Sequence, residues 1–203
     1  MENMENVIIV GAGQNGQVIR AILNYNPNFR ILGFLDDKIS GEGILGPIAN
    51  FKAFQKCSFF VAIGNKRWRK EAYEILFASG VKFINAIHPS AVIEGGVVLG
   101  SNVMVGALSY LNVGSEIGNN TLINNGVIVE HNCKIGSSCN INPGVVMGGG
   151  VIIGNNAFVG LGARLRDHIS IGDEATVGMG SIVLRDVPAN TIFFNRLENI
   201  SRR

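Results

Sequence analysis

Aliphatic residues fall at every sixth position from Ile93 to Val183, with no insertion or deletion. Ile93, Leu99, Val105, Leu111, Ile117, Ile123, Val129, Ile135, Ile141, Met147, Ile153, Val159, Leu165, Ile171, Val177 and Val183 form one column of sixteen. Two residues before each stands a small or β-branched residue, from Ala91 and Val97 to Ala175 and Ser181. The residue after the aliphatic is most often Gly, and it is Asn at 112, 124 and 142. A period of six fits neither the helical period of about 3.6 nor the alternation of about two in a long strand. It fits short strands joined by tight turns, in which Gly and Asn adopt φ > 0. A rung of this kind cannot bury its apolar face alone, so the rungs stack and the aliphatic column becomes the core. A register that never slips excludes a merely Gly- and Val-rich low-complexity segment.

This pattern resembles the hexapeptide-repeat, left-handed parallel β-helix of acyltransferases. In that family three hexads make one triangular coil of about 18 residues, so sixteen hexads imply a little over five coils. The handedness is implied by the resemblance alone.

Before the repeat the pattern changes. Val7–Val10 reads as a short strand that runs into Gly11-Ala12-Gly13-Gln14-Asn15-Gly16, a G-x-G-x-x-G turn. A helix is expected next, with Val18, Ile19, Ile22 and Leu23 on its inner face, ended by Pro27 and Asn28. Arg30–Leu35 reads as a second strand closed by Asp36-Asp37. Strand, glycine turn, helix and acid in this order predict a Rossmann-like unit: a helix N-terminus for phosphate and an acid for a ribose hydroxyl. The same glycines would also serve close helix–strand packing. Gly43–Pro47 reads as a turn, Phe51–Lys56 as a short helix, and Ser58–Ile63 as a strand ending at Gly64-Asn65. Lys66–Ser79 is expected to be amphipathic, with Trp68, Ala72, Ile75 and Leu76 inward, and Lys82–Asn85 a last short strand. Lys66, Arg67, Arg69 and Lys70 read as a solvated helix face, or as a phosphate contact at its N-terminal end.

Three parts follow: a Rossmann-like domain over 1–87, which the resemblance named below implies binds a nucleotide sugar, a β-helix domain over 88–190, and a C-terminal tail over 191–203. The expected fold class is an α/β domain followed by an all-β solenoid.

Composition narrows the function without naming it. A hydrophobic content of 47% with only 5 Pro among 203 residues describes a folded, globular chain. The net charge is +2, and neither part is basic enough to suggest nucleic acid. The start, MENMENVIIVGAG, lacks the basic n-region of a signal peptide, and no apolar run reaches the ~20 residues of a membrane helix. Cys57, Cys133 and Cys139 make no metal-binding pattern and read as reduced, buried thiols of a cytoplasmic protein.

A small Rossmann-like domain leading into a hexapeptide β-helix resembles one family of sugar acetyltransferases. It includes UDP-N-acetylbacillosamine-pathway N-acetyltransferases, perosamine N-acetyltransferases and sialic acid O-acetyltransferases. The markers are Gly11–Gly16, Phe34-Leu35-Asp36-Asp37, Val61-Ala62-Ile63-Gly64-Asn65, His88-Pro89-Ser90-Ala91 and Val129-Glu130-His131. The resemblance implies that Gly11, Gly13, Gln14, Asn15, Asp36, Asp37, Gly64 and Asn65 hold the nucleotide sugar. It implies that acetyl-CoA, the co-substrate, lies between protomers of a homotrimer against Asn140, Leu161 and Met179. The family's general base falls on His131, one residue past Glu130 and one before Asn132. Histidine suits that task because it exchanges protons near neutral pH. Direct attack of the sugar amine on the thioester needs no covalent enzyme intermediate. An O-acetyltransferase acting on sialic acid or a related sugar is the alternative. A solenoid that only trimerises and senses a nucleotide is the reading from another class. His88, before Pro89, reads as structural; His168 falls two coils beyond Asn132 in the same column.

The chain departs from the family at three places. Asn132 stands where many members have Glu or Asp after the histidine, and Glu130 is the candidate substitute. Asn15 stands where some have a histidine in the glycine turn. Phe194-Asn195-Arg196-Leu197 replaces the usual small C-terminal motif that helps bind the CoA adenine.

Overall fold

The computed structural model describes residues 4–194. The α/β domain is a five-stranded parallel sheet in the order β3-β2-β1-β4-β5. Its strands are β1 (Glu5–Val10), β2 (Phe29–Leu35), β3 (Ile44–Gly46), β4 (Ser58–Val61) and β5 (Lys82–Phe83). α1 (Gln14–Leu23) and α2 (Lys66–Ala78) cover its two faces, with a 3₁₀ turn at Ile48–Phe54 beside α2. β1 and β4 are buried on both sides, which is why they read as continuous apolar runs. Ile44–Gly46, expected as part of a turn, pairs with β2.

Two inward sets differ from the periodic reading. On α1 the buried residues are Gly16, Ile19, Ile22 and Leu23, while Val18 is exposed. On α2 they are Arg69, Ala72, Tyr73 and Leu76, while Trp68 and Ile75 face outward. The buried arc of α2 is thus rotated by one residue, and an arginine occupies a place that the hydrophobic pattern gave to tryptophan.

The repeat coils into a three-faced parallel β-helix. Face I runs from Val92–Ile93 to Ile182–Val183, face II from Val98–Leu99 to Ser170–Ile171, and face III from Ala86–Ile87 to Ile192–Phe193. Each two-residue strand lies under the one 18 residues later, as Tyr110 lies under Ile128 and Ile117 under Ile135. The aliphatic column points inward and, from Val103 onward, merges with the small-residue column into one core.

The solenoid begins before and ends after the sequence boundaries. Ala86–Ile87 pairs with Met104–Val105 as the first rung of face III. Ile192–Phe193, expected in a tail, pairs with Thr176–Val177. The last coil is two residues short: Val177 meets Phe193 and Ile171 meets Val187, each a step of 16. The sequence pattern breaks at Leu184–Asn190 because the step changes there, while the coil itself continues. The remainder of the expected tail, 195–203, lies outside the described residues.

Face III and the corner between faces II and III carry the α/β domain. Met104 and Leu122 enter the same core as Ile19, Ile22 and Leu23 of α1. At the corner the stacked positions Asn102, Asn120, Ser138 and Asn156 all have φ between 54 and 60°. Asn tolerates this left-handed conformation better than most residues. Asn102 Nδ2 donates to Asn120 Oδ1 at 2.9 Å, and Asn120 Nδ2 donates to Ser138 Oγ at 3.0 Å. Asn102 also completes β4. β5 ends at Phe83, so Val61 has no neighbouring strand on that side. The Val61 N–H donates to Asn102 Oδ1 at 2.7 Å, and Asn102 Nδ2 donates to the Val61 carbonyl at 3.3 Å. A side-chain amide thus stands in for a strand.

Arg69 crosses the same interface. It is fully buried, and Nη2 donates to Asn140 Oδ1 and, at 3.4 Å, to the Ser138 carbonyl. Nε and Nη1 have no hydrogen-bond partner among the described residues. Burial lowers the guanidinium pKa to about 10, opposed by the neighbouring Cys139. Burial likewise pushes the Cys139 thiol up, from an ordinary 9.0 to about 11. Hydrogen bonds from Ala157 and Thr121 and the charges of Lys66 and Arg69 pull the other way without offsetting it.

Two outcomes test this packing. Ile135, mid-column and 3% exposed, should lose about 2–5 kcal/mol of unfolding free energy on Ile135→Ala in urea titrations. Ile135→Asp should prevent folding, since a lone carboxylate would be buried among aliphatics; a normally folded Ile135→Asp protein would refute the register. The second test is alkaline. Between its unfolded and folded pKa the Cys139 thiol stays protonated only in the folded chain, so stability falls as pH rises through that window. From about pH 8 to about pH 11 the wild type should lose about 3 kcal/mol more than Cys139→Ala. Parallel pH profiles for the two proteins would remove the assignment.

Candidate functional site

A cavity of about 670 Å³ opens where β1, β2 and β4 end. Gly11, Gly13, Gln14 and Asn15 come from the turn after β1, Asp36 and Asp37 from the loop after β2, and Gly64 and Asn65 from the loop after β4. All eight residues assigned to the nucleotide sugar line this one space, joined by Lys38, Ile39, Ile48 and the α2 side chains Trp68, Glu71, Ala72 and Ile75. Strand carboxyl ends are where open parallel sheets bind ligands.

The glycines have different jobs. A Cβ on Gly16 would run into the carbonyl oxygen of Gly11, so Gly16 lets α1 start against the turn. Gly13, the residue before α1, has open space around it and leaves the helix without a side-chain cap. The first N–H groups of α1 therefore point into the cavity region with no competing acceptor at that position, a setting that suits an anion. Asn15 lies across from Gly64, where a Cβ would come within 3.3 Å of Asn15 Nδ2.

The two aspartates divide. Asp36 is a loop organiser: its Oδ2 accepts the Ala12 N–H at 2.8 Å, and its Oδ1 accepts those of Lys38 and Ile39 at 2.8 Å each. Burial acts to raise its pKa, but these three donors and the Lys38 charge outweigh it and hold the carboxyl below its ordinary value. Among the described residues Asp37 accepts at Oδ1 alone, from the Ile48 N–H at 2.8 Å. Asp37 therefore keeps an oxygen for a ligand, and Asp36 does not. Asn65 is also engaged, its Oδ1 accepting the Trp68 N–H at 3.1 Å as the N-cap of α2.

A second cluster sits on the corner between faces I and II. Val129 turns inward, and the chain passes through Glu130, His131 and Asn132, where φ is 57°. His131 is exposed and its ring lies over the next coil, where a Cβ on Gly149 would come within 2.5 Å of Cε1 and 2.6 Å of Nε2. The ring of His168 covers Gly150 from the following coil, with Nδ1 at 2.5 Å from where a Cβ would be. Gly149 and Gly150 thus leave room for two imidazoles on one groove. His168 Nε2 lies 4.0 Å from Asp167 Oδ2. His131 Nδ1 faces Asn132 Nδ2 at 3.2 Å. Glu130 does not reach His131; its Oε2 accepts from Asn112 Nδ2 at 2.8 Å. His88 packs edge-on against Tyr25 and bonds Ser90 through Nδ1 at 2.8 Å.

The three residues assigned to acetyl-CoA are not brought together within one chain. Leu161 and Met179 stack 18 residues apart on the corner between faces III and I, 50% and 75% exposed. His131 is on the other edge of face I. Asn140 lies on face III beneath α2, its Oδ1 taken by Arg69. Sequence periodicity missed Arg69, which was read with the solvated cations, and Lys38, which lines the cavity. Lys38 follows directly on Asp36-Asp37, and that adjacency was the available signal. No group of three or more His, Cys, Asp or Glu among the described residues is arranged to hold a metal ion. Among these residues no helix is long and apolar enough to cross a membrane.

Known proteins share both halves of this arrangement. Residues 6–76 match the PglD N-terminal domain. Residues 114–149 match the bacterial transferase hexapeptide (six repeats), and 96–130 and 150–185 match the hexapeptide repeat of succinyl-transferase. PerB of Caulobacter crescentus, solved in complex with CoA and GDP-perosamine, is 32% identical with a TM-score of 0.87, over 93% of each chain. The acetyltransferase domain of PglB from Neisseria gonorrhoeae FA1090, solved with acetyl coenzyme A, is 27% identical with a TM-score of 0.88, over 93% of this chain and 95% of that one. UDP-N-acetylbacillosamine N-acetyltransferase of Bacillus subtilis (strain 168) is 33% identical over 111 residues, 50% of this chain and 51% of that protein. The chain thus spans about half the length of that curated relative. With a PerB-like fold along nearly its whole length, the chain belongs to the family of hexapeptide-repeat acetyltransferases that carry a PglD-type N-terminal domain.

Proposed function

We propose that this protein transfers the acetyl group of acetyl-CoA to the amine of a nucleotide-activated amino-deoxysugar, with His131 as general base. The observation that carries the reading is the pairing of two sites in one chain. One is a cavity with backbone donors and Asp37 at the sheet's carboxyl ends; the other is an outward imidazole on a β-helix corner. CoA and GDP-perosamine bound to PerB, and acetyl coenzyme A bound to the PglB domain, support it.

In this reaction the amine lone pair attacks the thioester carbonyl carbon. The tetrahedral intermediate then expels the CoA thiolate as the C–S bond breaks. The amine proton passes to His131 Nε2 and on to the departing sulfur, so the imidazole ends as it began. Nε2 accepts a proton only when Nδ1 carries the ring hydrogen. Asn132 supports that tautomer when its amide oxygen is turned to Nδ1; an amide can take either orientation at this distance.

The enzyme is proposed to act as a cyclic homotrimer, because His131 and the Leu161–Met179 pair occupy opposite edges of face I. A second copy can bring those edges together, and closed symmetry favours three such contacts. The three buried free thiols suit a reducing, cytoplasmic setting.

His131→Ala should lower kcat by about 10²–10⁴-fold while the acetyl-CoA Kd stays near the wild-type value, as expected for a group that acts in the transition state. Retention of more than about a tenth of wild-type kcat would show that His131 is not the base, and would direct the next substitution to His168. For assembly, sedimentation at micromolar concentration should give a trimer; a fully active monomer would end that part of the proposal.

A further inference from the structure

Trp68 stands on the cavity wall, half exposed, although the amphipathic pattern of α2 places it in the core. Ala72 and Ile75 follow it at helical spacing, so the three form one strip along α2. Ile39 and Ile48 add two more apolar side chains to the lining, and Glu71 is the one charged side chain that α2 contributes to it. The side formed by Gly11, Gly13 and the uncapped start of α1 presents backbone N–H groups instead. One space therefore combines backbone donors with an aromatic ring in an apolar strip. That division suits a ligand with an anionic part and a flat, weakly hydrated part, as in a nucleoside diphosphate.

Lys38 lies over the same indole ring. Its Nζ lies 4.1 Å from the centre of the Trp68 ring, so the indole face is open enough to receive a partner from the cavity. An ammonium over an exposed ring is held weakly, and a stacked base is held more strongly on the same π-face. The backbone N–H groups of Lys38 and Ile39 are fixed by Asp36, which keeps the loop in place whichever way the exposed lysine side chain turns.

Resting on the nucleotide-sugar reading above, we propose that Trp68 is the platform on which the nucleobase stacks. The base displaces the Lys38 ammonium from the indole, and Lys38 turns to the diphosphate.

Trp68 is the sole tryptophan of the chain, so its fluorescence reports on this contact directly. Titration of the wild-type protein with GDP and with UDP should quench that emission in parallel with binding measured by calorimetry. Pyrophosphate and ribose 5-phosphate, which lack the base, should leave it unquenched. Trp68→Leu should weaken binding of the preferred nucleoside diphosphate by about 10- to 100-fold. Trp68→Phe, which keeps a ring, should recover most of that affinity, and acetyl-CoA binding should not change in either variant. Nucleotide binding without quenching, equal quenching by ribose 5-phosphate, or full affinity in Trp68→Leu would each overturn the platform and leave the proposed reaction standing. Failure of both GDP and UDP to bind the wild type would overturn the nucleotide reading itself, and the platform with it.

Discussion

A strand of two residues has no stability of its own, and this protein is built largely from such strands. What holds them is a step of 18 residues, kept in every coil but the last, which sets each aliphatic side chain directly over its predecessor. The step leaves little freedom at the corners. Asn102, Asn120, Asn132, Ser138 and Asn156 are left-handed there, and each closes a turn so that the next strand lands in register. Side chains of the corner residues then reach the coil above or below, as Asn119 accepts the Ser101 N–H and Asn155 accepts the Ser137 N–H. Backbone geometry, hydrogen-bond satisfaction and the apolar column thus depend on one repeat length.

The α/β domain is attached through this same regularity. Asn102 occupies its position because the corner needs a left-handed residue, and its amide is then available to finish the exposed end of β4. Val61 leads straight into Ala62–Asn65, the loop that lines the cavity. The solenoid therefore holds one wall of the cavity in place through two hydrogen bonds to a single residue, Val61. Arg69 makes the docking specific rather than strong. Among the described residues its buried guanidinium finds acceptors in Ser138 and Asn140 alone, so a shift of α2 by one turn would strand the charge without them.

The periodic half of the fold was legible in the sequence because each hexad repeats the same physical demand, and sixteen repetitions outweigh local ambiguity. The α/β half was legible in order and, β3 excepted, in type, but not in facing. Trp68 and Arg69 are adjacent on α2, and a hydrophobicity pattern assigns the inward place to the tryptophan. The structure reverses them because the spot that Arg69 reaches at the edge of this packing is polar: the Ser138 carbonyl and the Asn140 amide oxygen accept from its guanidinium, as they could not from two sides of an indole. Eight of the cavity residues could be gathered from the glycine turn and strand ends; Lys38 and Trp68 could not. The division between Asp36 and Asp37 could not, since it depends on which backbone N–H groups fold back onto each carboxylate.

The same kind of detail bears on His131. The corner could accommodate an acid after the histidine, because Asp tolerates a left-handed φ about as well as Asn. The backbone therefore does not account for the amide at 132. Glu130 is the nearest carboxylate in sequence, and Asn112 holds it in the coil below. The His131 ring is positioned by the Asn132 amide beside it and by the glycine surface of the coil above. In the proposed reaction such a corner works by orientation: it fixes which nitrogen faces the groove and leaves the charge of the imidazolium to be met by the departing thiolate. A thiolate formed in the same step is the natural acceptor for that proton, so the base need not hold it beyond the collapse of the intermediate.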